Sequence, residues 1–173
     1  MSGFVNPQEV LDQLKLKESL VAADFGSGSG GWVIPLAKKL AEGKIYAIDI
    51  LEEPLSALKS RAKLENIFNV ETIQSNVEEI RGSKLTDSSC DLVLMTNLLF
   101  ECDDKKIVLE EGKRVLKPGG KMLIVDWKKD NPLTPEIERV PIEDIKKIAQ
   151  ELDLEIEREF DAGIYHWGLI LVE

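Results

Sequence analysis

Ser19-Leu-Val-Ala-Ala-Asp-Phe-Gly-Ser-Gly-Ser-Gly-Gly-Trp32 is the stretch whose reading decides the fold. Leu20 to Ala23 is an apolar run of the kind that forms a buried strand. The run stops at Asp24, passes through Gly26, Gly28, Gly30 and Gly31, and leads into Val33, Ala37, Leu40 and Ala41 at helical spacing. Strand, glycine turn and helix make the first unit of a nucleotide-binding α/β sheet. Glycine suits such a turn because a side chain would hold the backbone away from a ligand, and because some of these positions require positive φ. The helix behind it aims its free N–H groups at whatever lies over the turn.

The spelling of the turn admits two ligands. Gly26-x-Gly28-x-x-Gly31 fits the dinucleotide pattern, and Gly26-x-Gly28-x-Gly30 fits that of S-adenosylmethionine (SAM) methyltransferases. Asp24, two residues before the first glycine, bears on the choice. A carboxylate there repels a pyrophosphate and suits a ligand carrying an ammonium and a sulfonium. Taken alone, the turn reads equally well as a tight structural turn, so the rest of the chain must decide.

Working outward, Asn6 caps a first helix that starts at Pro7 and puts Val10, Leu11 and Leu14 on one face, with residues 1–6 loose. After the helix that follows the glycine turn, Gly43 reads as its C-cap. Lys44–Asp49 is a second strand ending in an acid, 23 residues after Gly26, the spacing at which a carboxylate reaches a ribose diol. The competing reading of Asp49 is an N-cap for the next helix, marked by Leu55, Leu58 and Ala62 and ending near Asn66. Val70–Gln74 is a short edge strand followed by the loop Ser75–Glu78. Asp91–Met95 is apolar enough for a parallel strand covered on both faces. A helix from about Asp104 to Leu116 sets Val108, Gly112 and Val115 toward the sheet, and Lys117-Pro-Gly-Gly120 breaks it. Lys121–Trp127 is a fifth strand and Lys128–Val140 a connecting loop. Ile142 to Leu152 is an amphipathic helix. Leu154–Asp161 and Tyr165–Val172 form a closing hairpin around Ala162-Gly163. The order implies a single domain, residues 1–173, built on one doubly wound sheet. Asp24, Asp49, Asn76 and Asn97 all fall at C-terminal strand ends, where such sheets bind ligands.

Composition narrows the classes. With 22 basic and 32 acidic side chains the net charge is −10, which disfavours nucleic acid; Lys105-Lys106 and Lys128-Lys129 read as solvated surface. No apolar run reaches the ~20 residues of a membrane span, and no secretory signal pattern opens the chain, so a cytoplasmic location without membrane insertion is expected. Cys90 and Cys102 form no CxxC pair, and one histidine, His166, cannot build a His-based site, so no metal is expected.

The chain resembles the class I SAM-dependent methyltransferases, on the small-molecule branch that includes the ubiquinone/menaquinone biosynthesis C-methyltransferases. The likeness rests on Val21-Ala-Ala-Asp-Phe-Gly-Ser-Gly-Ser-Gly30, Ala47-Ile-Asp49, Asp91-Leu-Val-Leu-Met-Thr-Asn97 and Arg114-Val-Leu-Lys-Pro-Gly-Gly-Lys-Met-Leu-Ile-Val-Asp126. It implies a Rossmann-like, mostly parallel seven-stranded sheet of order 3-2-1-4-5-7-6 with an antiparallel last strand. It also implies that Gly26, Ser27, Gly28 and Gly30 pass beneath the methionine part of SAM, with Asp24 facing its ammonium. Asp49 would hold the ribose and Ile50 pack on the adenine. Asn76 and Val77 would approach the adenine edge, where the family often has Asp in place of Asn76. Asn97 would close the methionine end. Two departures stand out: Phe100-Glu101 replaces a histidine pair common in related proteins, and no Asn-Pro-Pro-Tyr motif follows the fourth strand.

The activity implied is transfer of the SAM methyl group to a small-molecule acceptor. The alternatives are an NAD-binding oxidoreductase, allowed by the second spelling of the turn, and a SAM-binding module without catalysis. Glu101, Asp126, Tyr165 and His166 are candidates for a base, none assigned, and Tyr165 and His166 alternate so that at most one faces inward. Trp127 is a candidate pocket wall. Substrate-covering segments are sought around Phe4, in 128–139 and at Tyr165–Trp167. The acceptor and the oligomeric state are not readable from the sequence.

Overall fold

A computed structural model describes residues 5–129 and 139–173. Phe4 and most of the 128–139 connection lie outside the described residues. The elements run α1 (Pro7–Asp12), β1 (Val21–Phe25), α2 (Val33–Lys39), β2 (Lys44–Asp49), α3 (Glu52–Leu64) and β3 (Val70–Gln74). They continue as β4 (Cys90–Thr96), a 3-10 turn (Leu99–Glu101), α4 (Lys105–Val115), β5 (Leu116–Trp127), α5 (Ile142–Glu151), β6 (Glu155–Asp161) and β7 (His166–Val172). All seven strands lie in one sheet of order β3-β2-β1-β4-β5-β7-β6, as the family resemblance implies. β1, β2, β3, β4 and β5 pair in parallel, and β7 enters antiparallel to both β5 and β6.

Alternation along the strands builds two cores. Ala22, Leu92, Leu94, Leu123, Val125 and Ile170 face helices α1, α2 and α3 through Leu11, Val33, Leu36 and Leu58. Ala23, Phe25, Val93, Met95, Ile124 and Leu169 face α4 and α5 through Val108, Leu109, Ile145 and Ala149. Each fully buried side chain of this size contributes roughly 1.5–3 kcal/mol. Helix ends follow local chemistry. The Asn6 side chain accepts from the Gln8 N–H with Pro7 in the first turn, the Asp104 carboxylate accepts from the N–H groups of Lys106 and Ile107, and Asn66 takes φ 55° just beyond α3. A Cβ on Gly112 of α4 would stand 2.6 Å from the methyl groups of both Met95 and Met122, so the glycine lets these two side chains fill the space under the helix.

Two expectations need correction. Gly43 is not a C-cap: α2 ends at Lys39 with Leu40 as its cap, and Gly43 has no positive φ. Its glycine is required because a Cβ would stand 2.0 Å from the Leu20 carbonyl oxygen, where the chain entering β2 crosses the chain entering β1. The helix α4 does end at Val115, before Lys117-Pro-Gly-Gly120, but that stretch is part of the strand and does not precede it. β5 begins at Leu116, opposite Cys90, and its register slips before Lys121 meets Leu92. Gly119 and Gly120 stay in the sheet through reciprocal bonds with the backbone of Glu173, at 3.1 Å each.

Candidate functional site

The site begins where β1 runs out. Asp24, on the face covered by α1 and α2, is 1% exposed. Beyond Phe25 the chain turns through Gly26 (φ 72°), Gly28 (φ 51°) and Gly30 (φ 89°), a backbone that L side chains rarely adopt. The N–H groups of Gly26 and Ser27 both donate to the Ile48 carbonyl, at 2.8 and 3.0 Å, which pins the turn to β2. The glycines have different neighbours. A Cβ on Gly26 would meet Leu98 at 2.7 Å and one on Gly30 would meet Leu58 at 2.3 Å, whereas a Cβ on Gly28 would meet nothing within 4 Å. Gly26 and Gly30 therefore serve close packing, and Gly28 faces open space. That space is a cavity of about 470 Å³ over the C-terminal ends of the parallel strands.

Gly26, Gly28, Asp49, Ile50, Asn76, Val77 and Asn97 line this cavity together. Asp24, Ser27 and Gly30 belong to the same turn but stand behind its wall. Asp49 Oδ2 accepts from the Gly28 N–H at 2.8 Å and Oδ1 from the Leu51 N–H at 3.0 Å. The N-cap of α3 is Leu51, so Asp49 is not that cap; it fastens the end of β2 to the glycine turn. Ile50, beside it, is an apolar side chain 57% exposed. Asn76 turns its amide oxygen onto the Glu78 N–H at 3.0 Å, which fixes the loop after β3. Val77 is buried in the core on the α4 side. Asn97 follows β4 with φ 50°, its N–H donating to the Val125 carbonyl at 2.8 Å. Backbone strain in a non-glycine residue at a strand end is a feature that clusters at functional sites.

The electrostatics of the site have one sign. Asp49, Glu78 and Glu101 line the cavity, and among the described residues no lysine, arginine or histidine does. Burial, together with the negative charge of Asp49, pushes the Asp24 carboxyl up to about 8. Four buried polar atoms have no hydrogen-bond partner among the described residues: Ser75 Oγ and Asn97 Oδ1 of the cavity lining, and Asp24 Oδ1 and Ser27 Oγ in the turn behind its wall. Buried polar groups are nearly always paired, so four orphans around one cavity mark where a ligand's donors belong. A ligand with an ammonium, hydroxyls and a flat apolar ring matches them; a pyrophosphate does not.

Several lining residues escape a linear reading. Thr96, Leu98 and Cys102 come to the cavity only through sheet order and the 3-10 turn. Glu78 bridges the loop after β3 to α4 by accepting from the N–H groups of Asp103 and Asp104, at 2.8 and 3.0 Å. Burial pushes the Cys102 thiol up to about 12, so it is not a nucleophile.

The candidate bases are dispersed. Glu101 is exposed at the cavity rim. Asp126 is fully buried and caps the 3-10 turn, accepting from the N–H groups of Leu99 and Phe100 at 3.0 and 3.4 Å; burial raises its carboxyl to about 6. Tyr165 precedes β7 and is half-buried, while His166 opens β7 and is the inward member of the pair. Among the described residues, no cluster of three or more His, Cys, Asp or Glu could hold a metal ion, and no helix is long and apolar enough to cross a membrane.

Residues 16–163 match the family model described as a methyltransferase domain. A demethylmenaquinone methyltransferase of Geobacillus stearothermophilus is 31% identical over 114 residues, covering 65% of this chain and 47% of its own length. The namesake protein of Bacillus mycoides is 31% identical over 120 residues, covering 69% and 49%. The chain thus spans about half the length of these relatives. A SAM-dependent methyltransferase from Aquifex aeolicus, known from its crystal structure, superposes with a TM-score of 0.87 at 29% identity, over 97% of this chain and 89% of that one.

Proposed function

The chain belongs to the methyltransferase-domain family, and from that premise we propose that it transfers the methyl group of SAM to a small-molecule acceptor. The unit that does so is a single domain of residues 1–173, acting in the cytoplasm. One observation carries the choice of cofactor: among the described residues the cavity is lined by carboxylates and by no cation, with unpartnered polar atoms on Ser75 and Asn97 in its lining and on Asp24 and Ser27 in the turn behind it. SAM brings the charges that this site lacks, an ammonium and a sulfonium. The two phosphates of NAD would face Asp49, Glu78 and Glu101 with nothing to neutralise them, which disfavours the oxidoreductase reading.

In this assignment Gly26, Ser27, Gly28 and Gly30 carry the backbone under the methionine part of the cofactor, with Asp24 and the Asn97 amide oxygen turned to its ammonium. Asp49 takes the ribose hydroxyls and Ile50 one face of the adenine. Asn76 and Val77 border the adenine edge. Because the Asn76 oxygen already serves Glu78, its amide NH2 is the group left to face the base, and it points a donor at a ring nitrogen. Methyl transfer breaks the C–S bond, leaves the electron pair on sulfur and forms a bond from carbon to the acceptor. The protein contributes chiefly alignment, which supplies ~7–11 kcal/mol in well-oriented reactions.

Two measurements test this reading. SAM-dependent release of S-adenosylhomocysteine in the presence of pooled small-molecule acceptors separates an enzyme from a SAM-binding module. Calorimetry on Asp49→Ala is expected to show SAM affinity lower by ~1–3 kcal/mol. An unchanged dissociation constant removes the ribose role.

A further inference from the structure

The molecule has one histidine, and its position is unexplained by the cofactor site. His166 is 1% exposed, and neither Nδ1 nor Nε2 has a hydrogen-bond partner among the described residues. Its ring lies against that of Trp127, with centroids 4.0 Å apart, and the two residues face each other across β5 and β7. Register places the pair. Asp24, Leu94, Leu123 and Ile170 form one row on one face of the sheet, and Thr96, Val125 and Gly168 form the next row on that face. Trp127 and His166 are the row after that. His166 therefore lies on the same face as Asp24 and at the same end of the sheet, two strands beyond β4.

Strands lie ~4.8 Å apart and rise ~3.3 Å per residue, which puts the His166 backbone about 12 Å from that of Thr96. Thr96 and Asn97 border the cofactor cavity.

Resting on the methyltransferase reading above, we propose that His166 is the proton acceptor for the methyl acceptor, and that the acceptor is a hydroxyl or amine borne on a flat ring that lies along Trp127. The nucleophilic oxygen or nitrogen forms its bond to the methyl carbon as the C–S bond breaks, with the electron pair going to sulfur. The proton it sheds passes to an unpartnered nitrogen of His166. Burial first, and the nearby charge of Lys128 second, bring the imidazole down to about 4, so it stands neutral and ready to accept throughout the physiological range. A weak base suffices, because a hydroxyl oxygen that has gained a methyl group is a far stronger acid than imidazolium.

A single histidine makes the test direct. With the histidine ring labelled with nitrogen-15, NMR reports one imidazole, and calorimetry on the same sample first establishes SAM binding; its failure there would count against the methyltransferase reading itself. With S-adenosylhomocysteine bound, adding millimolar catechol is expected to shift one ring nitrogen by several ppm, while anisole, which has the ring but no proton to give, leaves it in place. Nitrogens unmoved by catechol, or moved equally by anisole, overturn the proposal. In turnover with catechol, His166→Leu is expected to lose at least tenfold in kcat with SAM affinity unchanged, and His166→Gln to recover part of it. Full kcat in His166→Leu overturns the proposal as well.

Discussion

Two carboxylates on neighbouring strands, Asp24 at the end of β1 and Asp91 near the start of β4, live in opposite circumstances. Asp91 borders a cavity of about 680 Å³ at the N-terminal ends of the strands, larger than the 470 Å³ cavity at the other end. Its oxygens accept from Lys117 Nζ at 2.9 Å and from the Val21 N–H at 2.9 Å. Burial pulls the Asp91 carboxyl upward, but the lysine and the backbone N–H together hold it below the usual carboxylate range. Asp24 has no such partner on Oδ1 and is pushed up to about 8. Lys121 and Glu157 pair on the rim of the larger cavity as well. Among the described residues no buried polar atom of the larger cavity's lining lacks a partner, whereas Ser75 and Asn97 of the smaller one each carry such an atom. Unmet hydrogen-bonding capacity, rather than volume, marks the end of the sheet that waits for a ligand.

The largest expected effect lies in a region where every polar group is met. Glu111 is buried and receives Ser83 through its N–H and hydroxyl and Arg114 through a 2.7 Å ion pair. Arg114→Met strands that carboxylate and is expected to cost ~3–5 kcal/mol in denaturant unfolding. SAM affinity, measured alongside, should be unchanged per folded molecule.

Asp24→Asn should behave in reverse. It removes a carboxyl that ionises above about pH 8 and can then meet the ligand's ammonium, and SAM affinity measured above that pH is expected to fall by ~1.5–3 kcal/mol, about 10- to 100-fold. The folded protein without ligand should not be destabilised by losing a carboxyl whose Oδ1 has no partner among the described residues. Equal loss of stability at Asp24 and at Arg114 would erase the distinction between the two ends.

The same residue sets a pH dependence. Above 3.8 the unfolded chain has released the Asp24 proton, while the folded chain keeps it until about 8. Stability therefore falls as pH rises across that window, by up to ~1.4 kcal/mol per unit, and levels off above it. His166 acts with the opposite sign, losing stability as pH falls from 6.5 to about 4, and Asp126 titrates near 6. Between pH 6.5 and 8 Asp24 dominates these three. Unfolding midpoints there should decline in the wild type and flatten in Asp24→Asn.

Lys117→Met should give the smallest effect. This pair is 40% and 27% exposed, so solvent screening limits its loss to roughly 1 kcal/mol or less by thermal unfolding.

The sheet was legible because its signals are local. A glycine turn, apolar strands and an acid closing β2 each show within a few residues, and the strand order came through the resemblance they carried. The errors arose where a distant segment decides. Gly43 looks like a helix terminator until the Leu20 carbonyl occupies the place of its Cβ. Pro118-Gly-Gly120 looks like a break until Glu173, more than fifty residues away, bonds to it on both sides. Asp24, Asp49, Asn76 and Asn97 could be placed at strand ends from sequence. Thr96, Leu98 and Cys102 could not, because only sheet order and the turn after β4 gather them. Asp126 read as a possible base until its oxygens were found capping the turn after β4.

Thermal unfolding with SAM, S-adenosylhomocysteine and NAD in parallel tests the central claim most directly. At about 100 times its dissociation constant a ligand adds ~2.7 kcal/mol, roughly 5–10 °C for a domain of this size. The carboxylate-lined cavity predicts that shift with both SAM-derived ligands and none with NAD. A shift with NAD alone, or with none of the three, would contradict it.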